Sequence, residues 1–563
     1  MDRLEKLTLV DLFNYSTEKF ADKPFVSWMD KEPVTYSEFK EKVLSVTKFL
    51  KEQGIVPGDK VAILSENSPN WSVAYFAITT MGAVGVPIMT EFHESEVHHV
   101  LRHSESKAIF VSEKFFEKVA GVKFENLTTR ILLDDFSIIP NEMNSDLLQK
   151  FVQEGQKELA KIKFAALKLA GLVNENVEPD DLALIYYTSG TTGHSKGVML
   201  SHKNIVYDAV VSTEMAEVVG DDRLLSILPL FHTIESTLGM VIVFYTGASG
   251  FYLNKPPTAS VLVPALKKVK PTVMIAVPLV IEKIYKNRVL PQINSKKLVK
   301  ALYKIPAVRK KINKAAGKKL YETFGGNLKM LCIGGAALNP DVEQFLREAE
   351  FPYAMGYGLT ETAPLLTGTN QKYTKFQSSG KPMEGVEVKI INKDEQTGEG
   401  DVIVRAPNVM MGYYKDPEKT AEVLTEDGWF HTGDLGYLSE DNYLYLKGRS
   451  KNVIIGANGK NIYPEELESV INSQDCVVES LVVERDNQLM AKVFFDSDLL
   501  DEMHGLGKLS ENESRAKLDS ILKELQKNVN GSISGHSKIH KFTMQTEPFE
   551  KTPTHKIKRY LYS

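Results

Sequence analysis

Cysteine is almost absent from this chain, and so is any long apolar run. Of 563 residues only Cys332 and Cys476 are cysteines, and they lie far apart in the sequence. They cannot form a disulfide framework or the ligand spacing of a zinc site, so a reducing, cytoplasmic compartment is expected. The longest apolar stretch, 238–253, is interrupted by threonine, serine and glycine. It is too broken for a membrane-spanning helix to be expected.

Charge of one sign is also lacking. The chain has 68 basic and 73 acidic residues and a formal net charge of −5. This balance creates no global field towards nucleic acid, so no nucleic-acid partner is expected. Residues 1–13 contain acids and no unbroken apolar core, which argues against a secretory signal.

One long segment lacks acidic residues altogether. It begins at Lys283, is rich in lysine and arginine, and continues until Glu322. A solvated helical face is the interpretation that the sequence alone favours. The alternative is that residues 283–319 make a peripheral contact with an anionic lipid surface or with an acidic partner.

The length and the pattern of the chain predict more than one domain. From residue 9 to residue 111, helical and extended patterns alternate with short turns, which favours an α/β fold with mainly parallel sheets. From 385 to 447 the pattern changes to short β runs, which indicates a small β-rich subdomain. The polar stretch 448–452 precedes a final α+β pattern. We therefore predict an N-terminal domain over 1–450 and a small C-terminal domain over 451–563.

A glycine-rich stretch, YYTSGTTGHSKGVMLSH at 186–202, lies between two apolar runs. The pattern predicts a strand, a flexible loop and a second strand. Glycines let backbone N–H groups turn towards an anion, and Lys196 adds a positive charge. The loop is not a Walker A loop, because no lysine has the GxxxxGKS/T spacing. Taken alone, it is compatible with an anion site or with an ordinary surface turn.

Six motifs occur in order along the chain: YTSGTTGHSKG at 187–197, YGLTET at 357–362, WFHTGDLG at 429–436, GRSKN at 448–452, NGKNIYPEE at 458–466 and TPTHKIKR at 552–559. Together they resemble the adenylate-forming superfamily of acyl-CoA synthetases, firefly luciferase and peptide-synthetase adenylation domains. The resemblance runs from about Leu9 to Arg559. It implies that a carboxylic acid is activated by ATP to an acyl-adenylate with release of pyrophosphate. Transfer to coenzyme A would then give a thioester and AMP.

The resemblance assigns phosphate-binding roles to the glycine-rich loop. The residues implied are Thr188, Ser189, Gly190, Thr191, Thr192, Gly193 and Lys196. Thr191 and Glu361 are implied to hold Mg²⁺, which suits oxygen ligands. Without the motif, Glu361 is equally compatible with an acid at a helix N-terminus.

The nucleotide itself is implied to contact residues from later motifs. They are Gly335, Ala336, Tyr357, Gly358, Thr360, Asp434 and Arg449. Tyr357 would stack on adenine beside Gly335 and Ala336, although core packing is its alternative role. Asp434 resembles the acid that accepts hydrogen bonds from both ribose hydroxyls, and Arg449 would reach the ribose or a phosphate.

Two residues are implied to act at the reacting carboxylate. Lys556 would bridge the carboxylate and the α-phosphate and offset the charge that develops there. His232 would lie beside the acyl carboxylate. The commoner version of the last motif has glycine before its lysine, whereas this chain has His555. A solvated lysine in a basic tail is the alternative for Lys556.

Lys451 matches the hinge position at which the small domain of the family rotates after adenylation. Rotation would withdraw Lys556 and bring the Asn458–Gly459 loop towards the site for thioester formation. Some relatives carry an aromatic residue at the position of Asn461, so pantetheine contacts are not carried over there.

The substrate is predicted to be a fatty acid, with a long chain favoured, because VPLVIEKIY at 277–285 and TPTHKIKR resemble the long-chain branch. The aromatic gate of some long-chain enzymes is missing, since residues 233–236 are Thr-Ile-Glu-Ser. A carrier-protein acceptor and a non-fatty acid stay open as alternatives within the family. A non-catalytic nucleotide-binding regulator, a P-loop phosphotransferase and a light-emitting oxidase are other classes that we weighed and favour less. The oligomeric state is left open, and a homodimer is compatible with the sequence.

Overall fold

The computed structural model describes residues 4–122, 124–140, 143, 146, 148, 171–188, 195–294, 297–455, 461–485, 488–552 and 556–562. The glycine-rich loop residues 189–194 and the loop 456–460 lie outside these ranges. Most of a helix expected over 147–172 also lies outside them.

Contacts between Cα atoms divide the chain into two compact units. The first comprises Met1–Glu387 and Arg405–Phe430, and the second comprises Val388–Val404 and His431–Ser563. In this division the β-rich segments group with the C-terminal part of the chain. The sequence predicts a domain boundary at 450/451 and rotation of the C-terminal domain about Lys451. Both stay predictions.

The first unit contains thirteen α-helices within the described ranges. They are α1 (Leu9–Lys19), α2 (Tyr36–Glu52), α3 (Pro69–Thr80), α4 (Glu94–Ser104), α5 (His202–Ala216), α6 (Ile242–Thr246), α7 (Ala259–Val269), α8 (Pro278–Ile284), α9 (Leu290–Asn294), α10 (Lys297–Leu302), α11 (Pro306–Thr323), α12 (Pro340–Glu348) and α13 (Pro417–Val423). Two π-helical stretches, Ile234–Val241 and Tyr285–Val289, continue directly into α6 and α9. Short 3₁₀ turns lie at Glu113–Val119 and Thr360–Thr362.

Two large sheets form the first unit. Their strands are β1 (Pro24–Trp28), β2 (Val34–Thr35), β3 (Lys60–Leu64), β4 (Val84–Pro87), β5 (Ala108–Val111), β6 (Thr129–Leu132), β7 (Ser137–Ile139), β8 (Leu182–Thr188), β9 (Lys196–Ser201), β10 (Arg223–Ser226), β11 (Ser249–Tyr252), β12 (Val273–Ala276), β13 (Met330–Ile333), β14 (Tyr353–Gly358), β15 (Leu365–Gly368), β16 (Lys381–Pro382) and, numbered later along the chain, β19 (Gly412–Tyr413).

The nine-stranded sheet has the order β16-β15-β14-β13-β12-β10-β11-β1-β2, and the eight-stranded sheet has the order β19-β9-β8-β4-β3-β5-β6-β7. Strands β14, β13, β12, β10, β11 and β1 pair in parallel, and antiparallel strands close both ends of that sheet. The eight-stranded sheet has a parallel centre and antiparallel edges too. The predicted α/β fold with mainly parallel sheets is confirmed.

Local signals explain where several helices begin. Thr35 and Glu38 form a reciprocal capping box at the start of α2, which satisfies two backbone N–H groups that a helix end leaves open. Ser68 caps α3, and Pro69 occupies its first turn. Helix α3 contacts strands of both large sheets, and nearly all of its residues are buried. Because all sides of this helix are buried, it has no solvent-exposed polar face.

The second unit contains three smaller sheets. A four-stranded sheet has the order β17-β18-β20-β21, followed by the pair β22-β23 and by a three-stranded sheet β24-β25-β26. The strands are β17 (Glu387–Ile391), β18 (Gly400–Arg405), β20 (Phe430–Leu438), β21 (Leu444–Arg449), β22 (Ile454–Ile455), β23 (Asn461–Ile462), β24 (Val477–Arg485), β25 (Gln488–Phe495) and β26 (Lys541–Gln545). Its helices are α14 (Pro464–Asn472), α15 (Ser497–His504) and α16 (Glu511–Ser532), with 3₁₀ turns at Ser450–Asn452, Leu506–Lys508, Gly535–Ser537 and Arg559–Leu561.

The structure adds elements that the pattern did not indicate. Helices α5 and α7 and the strands β1, β6, β7, β19 and β26 are the main additions. The helix expected over 237–246 begins earlier, as the π-helical stretch Ile234–Val241. None of the helices in the described ranges combines the length and the apolar character needed to cross a bilayer.

Candidate active site

Several predicted site residues of the first unit follow neighbouring strands at one edge of the nine-stranded sheet, whereas Thr188 and Lys196 lie in β8 and β9 of the eight-stranded sheet. Strands β10, β12, β13 and β14 are parallel neighbours, so their carboxyl ends open onto the same edge. Ligands of open α/β sheets bind in the crevice at such an edge. The chain leaves β13 into the segment that contains Gly335 and Ala336, and it leaves β14 at Gly358. His232 lies six residues beyond the end of β10 at Ser226.

Two glycines at this edge are required by the backbone. Gly335 has a φ of +85°, in the left-handed region that side chains rarely adopt. A Cβ atom at Gly358 would lie 1.7 Å from the carbonyl oxygen of Pro364, which no side chain could tolerate. Tyr357, next to Gly358, is 8% exposed, whereas Gly335 and Ala336 are exposed. The edge therefore presents bare backbone beside a largely buried aromatic ring.

A short turn presents Glu361, and hydrogen bonds from a distant segment hold that turn in place. Asn408 Nδ2 donates to the carbonyl oxygens of Thr362 and Leu365, both at 2.7 Å. The backbone N–H of Met410 donates to the carbonyl oxygen of Glu361 at 2.8 Å. Because Asn408 is fully buried, the turn has a rigid support.

Tyr413 connects Glu361 to the strand that carries Lys196. Its hydroxyl donates to Glu361 Oε1 at 3.0 Å, and Lys196 Nζ lies 4.8 Å from the centre of its ring. Strand pairing explains the geometry, since Tyr413 in β19 lies opposite Val198 in β9. Lys196 itself lies opposite Thr188 at the mouth of the glycine-rich loop. A cation, an aromatic ring and a carboxylate thus stand in sequence at the base of the loop.

Sequence reasoning missed Tyr413. The residue carries no local signal for this role, because the role arises only from the pairing of β19 with β9. The glycine before it, Gly412, has a φ of +140°, but glycine at a turn is too common to identify a site.

The segment before His232 is held by hydrogen bonds to the eight-stranded half of the unit. Asn67 Nδ2 donates to the carbonyl oxygen of Leu228 at 2.6 Å, and Asn67 Oδ1 accepts from the Leu230 N–H at 2.7 Å. Ser236 Oγ donates to the carbonyl oxygen of His232 at 3.1 Å. His232 is half-buried, with its ring 4.7 Å from that of Phe231. Asn67 is a second positioning residue that the sequence did not reveal.

A buried acid, Glu235, lies one turn beyond His232. It is 1% exposed, and burial raises the pKa of its carboxyl to about 8 against the opposing hydrogen bond from Ser226. Its Oε2 atom has no hydrogen-bond partner among the described residues. A Cβ atom at position 239 would come within 2.7 Å of Glu235 Oε1, so Gly239 makes room for the acid. Burial therefore favours the protonated, neutral form of Glu235 near pH 7.

In the second unit, Asp434 and Arg449 form an ion pair. Arg449 Nε lies 2.9 Å from Asp434 Oδ1, because the two residues stand opposite each other in strands β20 and β21. Arg449 Nη1 also donates to the carbonyl oxygen of Thr432 at 3.1 Å, and the Asp434 N–H donates to Thr432 Oγ1 at 3.1 Å. Two residues that the motifs predicted from separate positions are thus brought together.

Lys556 lies in a small hairpin of the second unit. Lys551 bridges to Ile557, and Thr552 N–H donates to the Lys556 carbonyl oxygen at 2.7 Å. The Lys556 side chain is exposed. Arg559 anchors the hairpin from behind, because its guanidinium pairs with the buried Glu468.

Lys451 is exposed and lies in the turn Ser450–Asn452. In the next residue, Asn452, Nδ2 donates to Glu465 Oε1 at 2.6 Å. Seven of the predicted site residues lie outside the described ranges: Ser189, Gly190, Thr191, Thr192, Gly193, Asn458 and Gly459. A cavity of about 500 Å³ also opens in the second unit beside Lys389 and Tyr437, and none of the predicted site residues lines it.

Residues 13–414 match the family described as AMP-binding enzyme. A long-chain-fatty-acid–acyl-carrier-protein ligase of Arabidopsis thaliana chloroplasts is 27% identical, over 86% of this chain and 75% of the relative. The long-chain-fatty-acid–CoA ligase heimdall of Drosophila melanogaster is 28% identical, over 84% of this chain and 74% of the relative. Among solved structures, O-succinylbenzoate coenzyme A synthetase of Bacillus subtilis, in complex with ATP and magnesium ion, is similar with a TM-score of 0.73. It is 22% identical, and 98% of each chain is covered.

The fold and the motif order thus define a class of protein. The chain belongs to the AMP-binding enzyme family, since the match covers well over half of its length. The chain is an adenylate-forming acyl ligase.

Proposed function

We propose that this protein activates a fatty acid, with a long chain favoured, and transfers it to coenzyme A. In the first step a carboxylate oxygen bonds to the α-phosphorus of ATP. The bond from that phosphorus to the bridging oxygen breaks, and pyrophosphate leaves with the electron pair. In the second step the thiol sulfur of coenzyme A bonds to the acyl carbon, AMP leaves, and the thiol proton passes to solvent.

The observation that carries this proposal is the arrangement of Lys196, Tyr413 and Glu361. Pyrophosphate is a strong anion, so its departure is favoured by a nearby ammonium group and by a bound cation. The Tyr413 hydroxyl donates a hydrogen bond to one oxygen of the Glu361 carboxylate, at 3.0 Å. Carboxylate oxygens are ligands that suit Mg²⁺. Glu361, with Thr191 from the glycine-rich loop, would hold the ion. When bound, Mg²⁺ would offset phosphate charge.

The remaining residues fit roles around the nucleotide and the acid. Gly335, Ala336, Tyr357, Gly358 and Thr360 would border the adenine, because the exposed glycine leaves space beside the tyrosine ring. The phosphates would lie against Thr188, Ser189, Gly190, Thr192 and Gly193 of the glycine-rich loop. His232, held through Ser236 and Asn67, would orient the fatty acid carboxylate.

The second unit would contribute four elements to the reaction. Asp434 would accept a hydrogen bond from a ribose hydroxyl, a role that suits a carboxylate. Lys556 has an exposed side chain and would reach the reacting carboxylate. Lys451 would serve as the hinge, and Asn458 with Gly459 would approach coenzyme A.

Fatty acid as the substrate class is supported by relatives whose names specify long-chain fatty acids. One of these relatives is named for an acyl-carrier-protein acceptor, so loading of a carrier protein is the second candidate. The neutral Glu235 beside His232 also fits an acyl site of low polarity better than one for a charged substrate.

The test measures pyrophosphate release over saturated acids of graded chain length and an aromatic acid, each with and without coenzyme A. We expect release to rise with chain length and turnover to require coenzyme A. Preference for the aromatic acid would contradict the substrate assignment. Retained adenylate formation without coenzyme A turnover would favour the carrier protein.

Lys556→Ala tests the chemical role. Removing a charge that acts in the transition state typically costs about 10² to 10³ in rate. Lys558→Ala, two residues away in the same tail, is the matched control. Supplied with preformed acyl-adenylate, the Lys556→Ala enzyme should still form thioester, which shows that it is folded. Near-normal pyrophosphate exchange in this variant would refute the assignment.

A further inference from the structure

We propose that the turn between α10 and α11, with the lysine face of α11, docks on an anionic lipid bilayer. Leu302 ends α10, Lys304 and Ile305 lie in the turn, and α11 begins at Pro306. We call these residues and the lysines of α11 the basic tip. Vesicle binding by this surface does not depend on the proposed acyl activity.

The lysines of the basic tip share one face of α11. A helix turns by about 100° per residue, so Lys310, Lys311, Lys314 and Lys318 fall within one quadrant or slightly more. All four are exposed. The adjacent side of the helix, with Asn313, Gly317 and Leu320, is buried against the rest of the unit. The charge therefore points to solvent as one continuous surface.

Neighbouring acids leave most of this charge in place. Thirteen lysines and arginines and no acids occur from Lys283 to Tyr321. Arg309 is neutralised by Glu348 at 2.7 Å, and Lys314 by Glu350 at 2.7 Å. Ion pairs at the surface contribute little, and the same face carries three further exposed lysines, Lys310, Lys311 and Lys318. Because the whole chain has a net charge of −5, attraction to an anionic surface has to arise locally here.

Apolar side chains are exposed immediately before the start of α11. Leu302 is 38% exposed and Ile305 is 48% exposed. They stand three residues apart in a tight turn, since Ile305 N–H donates to the Leu302 carbonyl oxygen at 3.0 Å. Lys304 lies between them. Apolar residues surrounded by lysines are the pattern of surfaces that insert shallowly into the headgroup region.

A bilayer fits this surface better than an acidic protein does. Protein interfaces are enriched in arginine and aromatic residues and depleted in lysine. Here the exposed cations are lysines, and the one arginine of α11 is engaged with Glu348. Lysine acts as a mobile point charge, which suits a diffuse anionic surface. Fatty acids partition into bilayers, so docking would bring the proposed enzyme to its substrate.

The test is co-sedimentation of the full chain with phosphatidylcholine vesicles, with and without about one third phosphatidylglycerol. Binding is expected only with the anionic lipid, and it should weaken strongly between ~0.05 M and ~0.5 M salt. The variant K310Q/K311Q/K318Q should lower the partition coefficient by about 100-fold, since each lysine contributes roughly five-fold. Lys314 is left intact because it pairs with Glu350.

The matched control is K517Q/K523Q/K527Q, which removes the same charge from exposed positions of α16. It should bind vesicles like the unaltered chain. Leu302→Ser with Ile305→Ser should reduce binding by about ten-fold and make it more salt-sensitive. Equal losses in the control, or no vesicle binding at low salt, would overturn the proposal. Binding to polyglutamate without binding to vesicles would overturn it in favour of an acidic partner.

Discussion

Replacing Glu235 by glutamine should change how stability depends on pH. The folded protein raises the pKa of this carboxyl to about 8 by burial, whereas an unfolded chain leaves it near ~4.3. Between these values the folded state holds the proton and the unfolded state does not. The free energy of unfolding therefore falls as pH rises through this window, and glutamine, which does not titrate, removes that fall.

The size of the effect follows from the width of the window. Each rise of one pH unit, while only the folded state is protonated, lowers the free energy of unfolding by about 1.4 kcal/mol. Between pH 5 and pH 8, Glu235→Gln should therefore gain about 3 kcal/mol relative to the unaltered protein. Burying the glutamine amide changes the free energy of unfolding of the variant at every pH. The informative quantity is therefore how the difference in unfolding free energy between the variant and the unaltered protein changes with pH.

Thermal unfolding at several pH values between 5 and 8 measures this slope. The difference in Tm between variant and unaltered protein should grow with pH, on the order of 3 °C across the window. Glu41→Gln, at an exposed position of α2, is the control, and its difference should stay flat. A flat difference for Glu235→Gln, or an equal slope in the control, would refute the neutral buried acid.

The other predictions concern the two units separately. Tyr413→Phe removes the hydrogen bond to Glu361, and a hydrogen bond to a charged group contributes about 1.5–3 kcal/mol. The rate of ATP–pyrophosphate exchange should therefore fall by roughly ten-fold or more, and the KM for magnesium-ATP should rise. Arg559→Met removes the cation beside the buried Glu468, and a hydrogen bond to a charged group contributes about 1.5–3 kcal/mol. The second unit should melt earlier, and exchange should fall because the Lys556 hairpin loses its anchor.

Each of these has a matched comparison. Tyr414→Phe changes the neighbouring tyrosine of the same run, and it should leave the KM for magnesium-ATP unchanged. For Arg559, the double variant Arg559→Met with Glu468→Gln should recover much of the lost stability, because no buried charge remains. If the double variant melts as early as the single one, the ion pair is not what anchors the hairpin.

Local patterns predicted many elements well. Helix α4 was expected over 94–104 and is observed as Glu94–Ser104, because an apolar stripe, acids in the first turn and a left-handed cap residue agree. Helix α5 was missed although it spans fifteen residues. Most of its side chains are buried, so the polar face that reveals an amphipathic helix is absent. Strand β19, with two residues, is too short for any periodicity.

The sequence by itself indicated the family and the fold class, and it named the candidate residues of the site. The glycine-rich loop, Glu361, Asp434 and Lys556 were named from motif order, and the α/β class from the alternation of strand and helix. The tertiary structure decided how these groups are held: Tyr413 between Lys196 and Glu361, Asn67 behind His232, and Arg559 behind Lys556. It also placed Glu235 in a buried environment that favours the neutral form of its carboxyl. Motifs are local in sequence, whereas these supports depend on strand pairing and burial across hundreds of residues, which no local pattern encodes.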